Sequence, residues 1–384
     1  MPTSVYLHIP FCRRRCYYCD FPVSVVGDRA RGETNPAIAD YVNILCQEIK
    51  LASSFGAPLQ TVFLGGGTPS LLAANQVEQL LQALDQQLGL ATNAEISLEV
   101  DPGTFTLTQL QAYRAAGVNR LSLGAQAFQD QLLADCGRSH TVSQIEQAVE
   151  IIQQAGFSNF SLDLISGLPG QSLEQWQASL DQAIALMPTH LSAYDLVLEP
   201  GTVFGKRYQP EDIRLPTDHT SAQMYRLAGS TLAAAGYQHY EISNYAQAGW
   251  QCRHNRVYWL NQPYYGFGMG ATSYITGQRF SRPRTRREYY EWIKTGAAIA
   301  IPAVTLLDEW LETLMLGLRL SEGLALADLQ AKFSSAWVTR LQPLLAAASD
   351  RGWLKISADR IYLTDPEGFL FSNQVLRSLW QAFD

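Results

Sequence analysis

Six short aliphatic and β-branched runs punctuate the first 200 residues: "VYLHI", "TVFLGGG", "EISLEV", "RLSLGAQ", "FSLDLISG" and "HLSAYDLVL". A stretch of helical character follows each; "NQVEQLLQALDQQLGL" and "SLEQWQASLDQAIALM" set their apolar residues three and four apart. This alternation predicts βα units and a parallel sheet. The strands are apolar on both faces, as expected of a sheet covered by helices. Six units suit an α/β fold built as a partial (β/α) TIM-like barrel, with a doubly wound sheet as the alternative.

After residue 205 the rhythm loosens into loops at Pro210 and Pro216, and a helix is expected from about Ser221 to Ala235. From Pro302 onward the pattern reads as a separate unit: helix, two short strands joined by a turn, then helix, an order similar to a winged helix. The expected division is a barrel core over 1–237, an extension over 238–301, and a small winged-helix-like domain over 302–384. That last segment carries seven basic and ten acidic residues, so no nucleic-acid partner is expected.

Polar residues interrupt the strands at telling places. Glu99 follows "ISL", Gln126 follows "SLGA", Asp163 lies within "FSLDLI", and Tyr194 with Asp195 ends "LSAYD". In a barrel the C-terminal strand ends share one mouth, where active sites are built. Composition narrows the setting. The chain has 384 residues, 47% of them apolar, a net charge of −7 and six cysteines. It shows no signal-peptide pattern and no apolar run of the roughly 18 residues a membrane span needs. A cytoplasmic, reducing location is expected, where clustered cysteines read as metal-binding or catalytic before they read as disulfides.

Three cysteines fall within "FCRRRCYYCDF", at Cys12, Cys16 and Cys19. A structural zinc site would show a second close pair, whereas Cys46, Cys136 and Cys252 are scattered along the chain. Arg13, Arg14 and Arg15 interleave the triplet and are expected to favour thiolates. Four thiolates usually saturate a four-iron cluster, so three leave one iron open to a ligand. CxxxCxxC in the loop after the first strand of a βα barrel resembles the signature of the radical S-adenosylmethionine (SAM) superfamily. The resemblance implies a barrel of the radical SAM type and a 4Fe-4S cluster on Cys12, Cys16 and Cys19. It also implies one-electron transfer to the sulfonium, which yields methionine and a 5′-deoxyadenosyl radical. By the same resemblance Tyr6, Tyr18, Gly67, Thr68, Glu99, Gln126, Arg138 and Asp163 match positions that hold S-adenosylmethionine. Their chemistry agrees: carboxylates suit ribose hydroxyls and an ammonium, and Arg138 suits the cofactor carboxylate. No catalytic residue beyond these cofactor contacts is assigned.

"YLHIPFC", "GGGTPS", "NRLSLGAQAF", "LDLISGLPGQ", "YDLVLEPGT" and "YEISNYA" together resemble the branch that holds oxygen-independent coproporphyrinogen III dehydrogenases and related heme chaperones. The dehydrogenase pattern continues to a fourth cysteine and carries a longer N-terminal segment; here Phe21 stands at that position, and eleven residues precede Cys12. "HNRVYW", residues 254 to 259, matches a motif associated with heme binding in the chaperones. The expectation is therefore a heme chaperone whose partners are heme, acceptor hemoproteins and an electron donor. His254 is the candidate iron ligand, Cys252 an alternative, and Tyr258 with Trp259 are candidates to pack on the porphyrin face. Decarboxylation of coproporphyrinogen III, or radical chemistry on another substrate, are the enzymatic alternatives. "RFSRPRTRR" sets Arg279, Arg282, Arg284, Arg286 and Arg287 close together, either for heme propionates or as a solvated patch for an acidic partner or membrane surface.

Overall fold

The computed structural model describes residues 1–28, 30–297, 304–357 and 359–383. Its frame is a nine-stranded sheet. Six parallel strands run in chain order: β1 (Ser4–Ile9), β2 (Leu59–Gly66), β3 (Leu90–Val100), β4 (Arg120–Gln126), β5 (Phe160–Ser166) and β6 (His190–Asp195). Each coincides with one of the six apolar runs. Registers such as Val5 opposite Val62, Leu98 opposite Leu121 and Leu162 opposite Leu191 place aliphatic side chains in continuous buried layers.

Local chemistry sets the connecting helices. Asn35, Thr106, Ser172 and Thr217 cap helices Pro36–Leu51, Leu107–Ala115, Leu173–Ala185 and Asp218–Ala234, each accepting a backbone N–H that the first turn would otherwise leave unpaired. Helix Ala74–Leu88 stops at Gly89, whose φ of 78° suits a residue without Cβ.

Three more strands join the sheet from the segment after 237. β7 (Gln238–Glu241) and β8 (Asn244–Ala246) extend it antiparallel beyond β6, and β9 (Tyr265–Phe267) pairs in parallel with the outer side of β1. The order β9-β1-β2-β3-β4-β5-β6-β8-β7 is linear, so the barrel is partial and does not close. Tyr245, Tyr265, Phe267 and Tyr289 belong to the same buried cluster as the barrel strands.

The C-terminal unit has its own core around Trp310, Leu314, Leu341, Ile361 and Leu379. Its order is helix, strand, two helices, two strands, helices, with a three-stranded antiparallel sheet. It meets the barrel at the β7 edge. Glu241 bridges to Leu320, Ile242 N–H donates to the Arg319 carbonyl, and Ser321 N–H donates to the Tyr240 carbonyl. An Arg226–Glu367 ion pair and a His239–Asp365 hydrogen bond add to this contact. No described helix is long and apolar enough to cross a membrane.

Candidate functional site

The loop after β1 is held by backbone bonds from several directions. Gly67 N–H donates to the Ile9 carbonyl and Thr68 N–H to that of Phe11, while Tyr17 N–H donates to the carbonyl of Cys136. A Cβ on Gly67 would lie 2.7 Å from the Ile9 carbonyl oxygen and 2.8 Å from that of Phe11. The third glycine of "GGG" is thus required by the close approach of this loop. Cys12, Cys16 and Cys19 are partly exposed free thiols on it. Among the described residues no three His, Cys, Asp or Glu groups converge on one ion position. A four-iron cluster asks for no such convergence, because each thiolate binds a different iron.

The three cysteines share one cavity of about 520 Å³ with Tyr18, Gly67, Thr68, Glu99, Gln126, Arg138 and Asp163. These are seven of the eight residues matched to S-adenosylmethionine contacts; Tyr6 is not among them. Gln126 has a φ of 69° at a register shift between β4 and β5, a left-handed backbone that tertiary contacts must hold in place.

Arg13 and Arg14 do not serve the thiols as expected. The first donates to the Gly103 carbonyl and the second pairs with Asp28, while Arg15 donates to the carbonyls of Cys19 and Phe21. Arg138, 122 residues away, donates instead to Cys16 Sγ at 3.4 Å, and also to Asp101 and the Gly124 carbonyl. It is a buried guanidinium whose Nε has no hydrogen-bond partner among the described residues. A buried guanidinium that lines the cavity is suited to an incoming carboxylate. Asp101, missed in the sequence, is the residue that orients it. Cys136 is not remote in space either: its buried thiol is pushed up to about 12 by desolvation, with Cys16 adding in the same direction.

Burial pushes Glu99 up to about 8; Asp163 and Asp101 add to the rise, and the Gly66 N–H bound to its Oε2 opposes it. Asp163 is raised by burial too, against hydroxyls of Ser192, Ser122 and Ser161 at 2.7, 2.9 and 3.1 Å. The register builds this second site, pairing Ser122 with Ser161 and Asp163 with Ser192. The charge of Arg120 opposes both rises, but among the described residues it forms no salt bridge to either carboxylate, and the pair suits a ligand bearing an ammonium and hydroxyls.

The Glu99 shift has a pH signature. Its folded value lies above the ordinary 4.5, so the native state holds the proton more tightly. The associated stability is complete below pH 4.5 and is lost as pH rises through 8. Glu99→Gln, which mimics the protonated form, should stabilise the ligand-free protein at pH 8 by about 2–4 kcal/mol and give no gain at pH 4.5. Urea unfolding at the two pH values checks this, and equal effects at both would refute it.

A smaller inner cavity of about 260 Å³ adjoins the first and shares Phe21, Gly66, Glu99, Asp163 and Tyr194 with it. Tyr6 lines it, with its hydroxyl 3.0 Å from His8 Nδ1. So does His254, from helix Arg253–Trp259. Glu95 of β3 fixes the start of that helix, accepting the N–H groups of Arg253 and His254, both at 3.1 Å, and the Cys252 thiol. Cys252 is fully buried, and its thiol is pushed up to about 12.

The His254 ring is 1% exposed and stacks on Phe63. Burial, reinforced by Arg120, lowers it to about 3, so the imidazole is neutral at pH 7. Nδ1 lies 2.7 Å from Thr61 Oγ1 and Nε2 lies 2.8 Å from the Tyr258 hydroxyl. Tyr258 and Trp259 diverge. The first lines the inner cavity, and the second lies against Arg319 of the C-terminal unit.

The arginine-rich segment is divided in the same way, which corrects its reading as one patch. Arg282 is buried, bonded to Glu48 at 2.7 Å, and Arg279 pairs with Glu312 over the Tyr274 ring. Both are structural. Arg284 and Arg287 are exposed.

The radical SAM superfamily model matches residues 6–183, and the HemN C-terminal domain model matches 304–371. The chain is 48% identical to heme chaperone HemW of Synechocystis sp. over all of this chain and 98% of that one. It is 36% identical to heme chaperone HemW of Escherichia coli over 98% and 97%. Among solved structures, coproporphyrinogen III oxidase (HemN) from Escherichia coli, described as a radical SAM enzyme, aligns with a TM-score of 0.83 at 25% identity. That alignment covers 100% of this chain and 90% of the other. The fold, the shared cavity and these full-length matches place the chain in the HemW family of radical SAM proteins.

Proposed function

We propose that this chain is a heme chaperone that carries a 4Fe-4S cluster on Cys12, Cys16 and Cys19, binds S-adenosylmethionine beside it, and passes heme to acceptor hemoproteins. One observation carries the reading: the "HNRVYW" segment of a chain 48% identical to a heme chaperone lines a cavity that adjoins the cysteine site. Arg138 would take the cofactor carboxylate, Glu99 and Asp163 its ammonium or ribose hydroxyls, and Tyr18, Gly67, Thr68 and Gln126 the remaining surface. Tyr6 would act from the inner cavity, through its bond to His8. When bound, the cluster and cofactor supply one-electron chemistry that the polypeptide lacks. The protein's share is to hold, orient and shield them. An electron donor and a cytoplasmic location belong to the same proposal.

Heme titration of the anaerobically reconstituted protein tests it. Stoichiometric binding by the intact chain is expected, with a loss of about tenfold or more in affinity for His254→Ala if the imidazole is the iron ligand. Absence of heme binding by the intact chain would sink the chaperone reading.

The structural likeness to coproporphyrinogen III oxidase supports a second reading, oxidative decarboxylation of coproporphyrinogen III. Phe21, where the dehydrogenase pattern has a cysteine, weighs against it; this side chain is 55% exposed beside both cavities. Anaerobic formation of protoporphyrinogen would decide for the enzyme.

A further inference from the structure

Tyr258 stands between two spaces. On one side is the inner cavity with His254; on the other is an open cleft of about 310 Å³ between the cysteine loop, at Asp20, Phe21 and Pro22, and the segment Gly270 to Arg284. Tyr6 and Phe21 also face both. Each space alone lies at or below the small end of ligand pockets, which run from about 300 to 1,000 Å³. The Tyr258 ring meets His254 edge-on at 5.2 Å and Tyr264 at 4.7 Å, so two rings, Tyr264 and Tyr258, lead from the cleft to the imidazole. At the cleft Arg284 is exposed, with Nη2 donating only to the Asp20 carbonyl among the described contacts.

Both partners of the imidazole are hydroxyls, so its two bonds are compatible with either neutral tautomer. If Nδ1–H donates to Thr61 Oγ1, the Nε2 lone pair accepts the Tyr258 O–H, and that lone pair is the one a metal would need. We propose that Tyr258 is a latch on His254. Its hydroxyl occupies Nε2, and swinging the ring aside joins the cleft to the inner cavity, so that a planar iron macrocycle enters edge-on with a carboxylate on Arg284. The exchange is balanced. One O–H···N hydrogen bond is given up for one iron–nitrogen bond, the imidazole stays neutral, and no electron moves. The aromatic faces of Phe21, Tyr258 and Tyr264 and the cation at the cleft select a flat, apolar ligand bearing carboxylates. This inference rests on the heme reading above and adds a path and a positioning residue to it.

Ferric heme added to the reconstituted full chain is the probe, followed by Soret titration and by the axial-ligand signature in electron paramagnetic resonance. Tyr258→Phe removes the competing hydroxyl and should tighten heme about 3- to 10-fold, the equivalent of one neutral hydrogen bond, with the intact chain's axial signature retained. Arg284→Glu should weaken it several-fold without changing that signature. Thr61→Val, which frees Nδ1, should disturb the axial signature. Melting temperature and S-adenosylmethionine binding, measured alongside, identify any variant that has merely misfolded. Unchanged affinity in a folded Tyr258→Phe, or an axial signature that survives His254→Ala, would overturn the latch while leaving the chaperone reading intact. Failure of the intact chain to bind heme would instead remove the reading on which the latch rests.

Discussion

Alanine at any one of Cys12, Cys16 or Cys19 is expected to abolish cluster assembly, taking iron from about four per chain to background after anaerobic reconstitution. S-adenosylmethionine binding should fall with it. Cys136→Ala is the informative comparison. Its thiol is close enough to Cys16 for their charges to interact, and its backbone carbonyl is bonded to the loop. The proposal of an open three-thiolate site requires that this variant keep its full iron content. Loss of iron in Cys136→Ala, with the protein still folded, would mean a fourth protein ligand and no vacant iron for the cofactor. Arg138 bears on the same measurement. Its Nη1 donates to Cys16 Sγ at 3.4 Å, and burial drives Cys12 up to about 12, against the Thr68 hydroxyl. Iron binding must displace that proton, so assembly should be faster at higher pH.

The second large effect concerns Glu48. This carboxylate is 3% exposed at the side chain and receives Arg282 Nε at 2.7 Å, the Gly268 N–H at 2.7 Å and the Tyr289 hydroxyl at 2.6 Å. Glu48→Leu would strand a buried guanidinium and should cost about 3–5 kcal/mol in urea unfolding. Combining it with Arg282→Met removes the stranded charge and should recover the larger part of the loss, since buried pairs often do little better than apolar replacements. A double variant as unstable as the single one would show that the hydrogen bonds to Gly268 and Tyr289, not the charge, carry the effect.

The strands were legible because a helix-covered parallel sheet needs aliphatic runs, and the polar residues interrupting those runs had to face the barrel mouth. Glu99, Gln126, Asp163 and Tyr194 do line one cavity. What stayed hidden were partnerships that only folding creates. Arg282 and Glu48 are 234 residues apart, and nothing local distinguishes an arginine destined for burial from its exposed neighbour Arg284. Ser122, Ser161 and Ser192 become donors to one carboxylate only through the register of three strands. Asp101 gave no signal because an aspartate before Pro102 also reads as an ordinary turn. The short strands β7 to β9 were missed for another reason: three or four residues are too few to show a period.

An unclosed barrel leaves a strand margin exposed to whatever backbone comes near, a standing invitation to sheet growth between molecules. Here the bonds between Tyr240, Glu241 and Ile242 on the sheet and the stretch Arg319 to Ser321 occupy that margin. The C-terminal unit, largely helical and poor in positive charge, thus has a purpose that requires no ligand: it is the selvedge that keeps the sheet from unravelling into its neighbours.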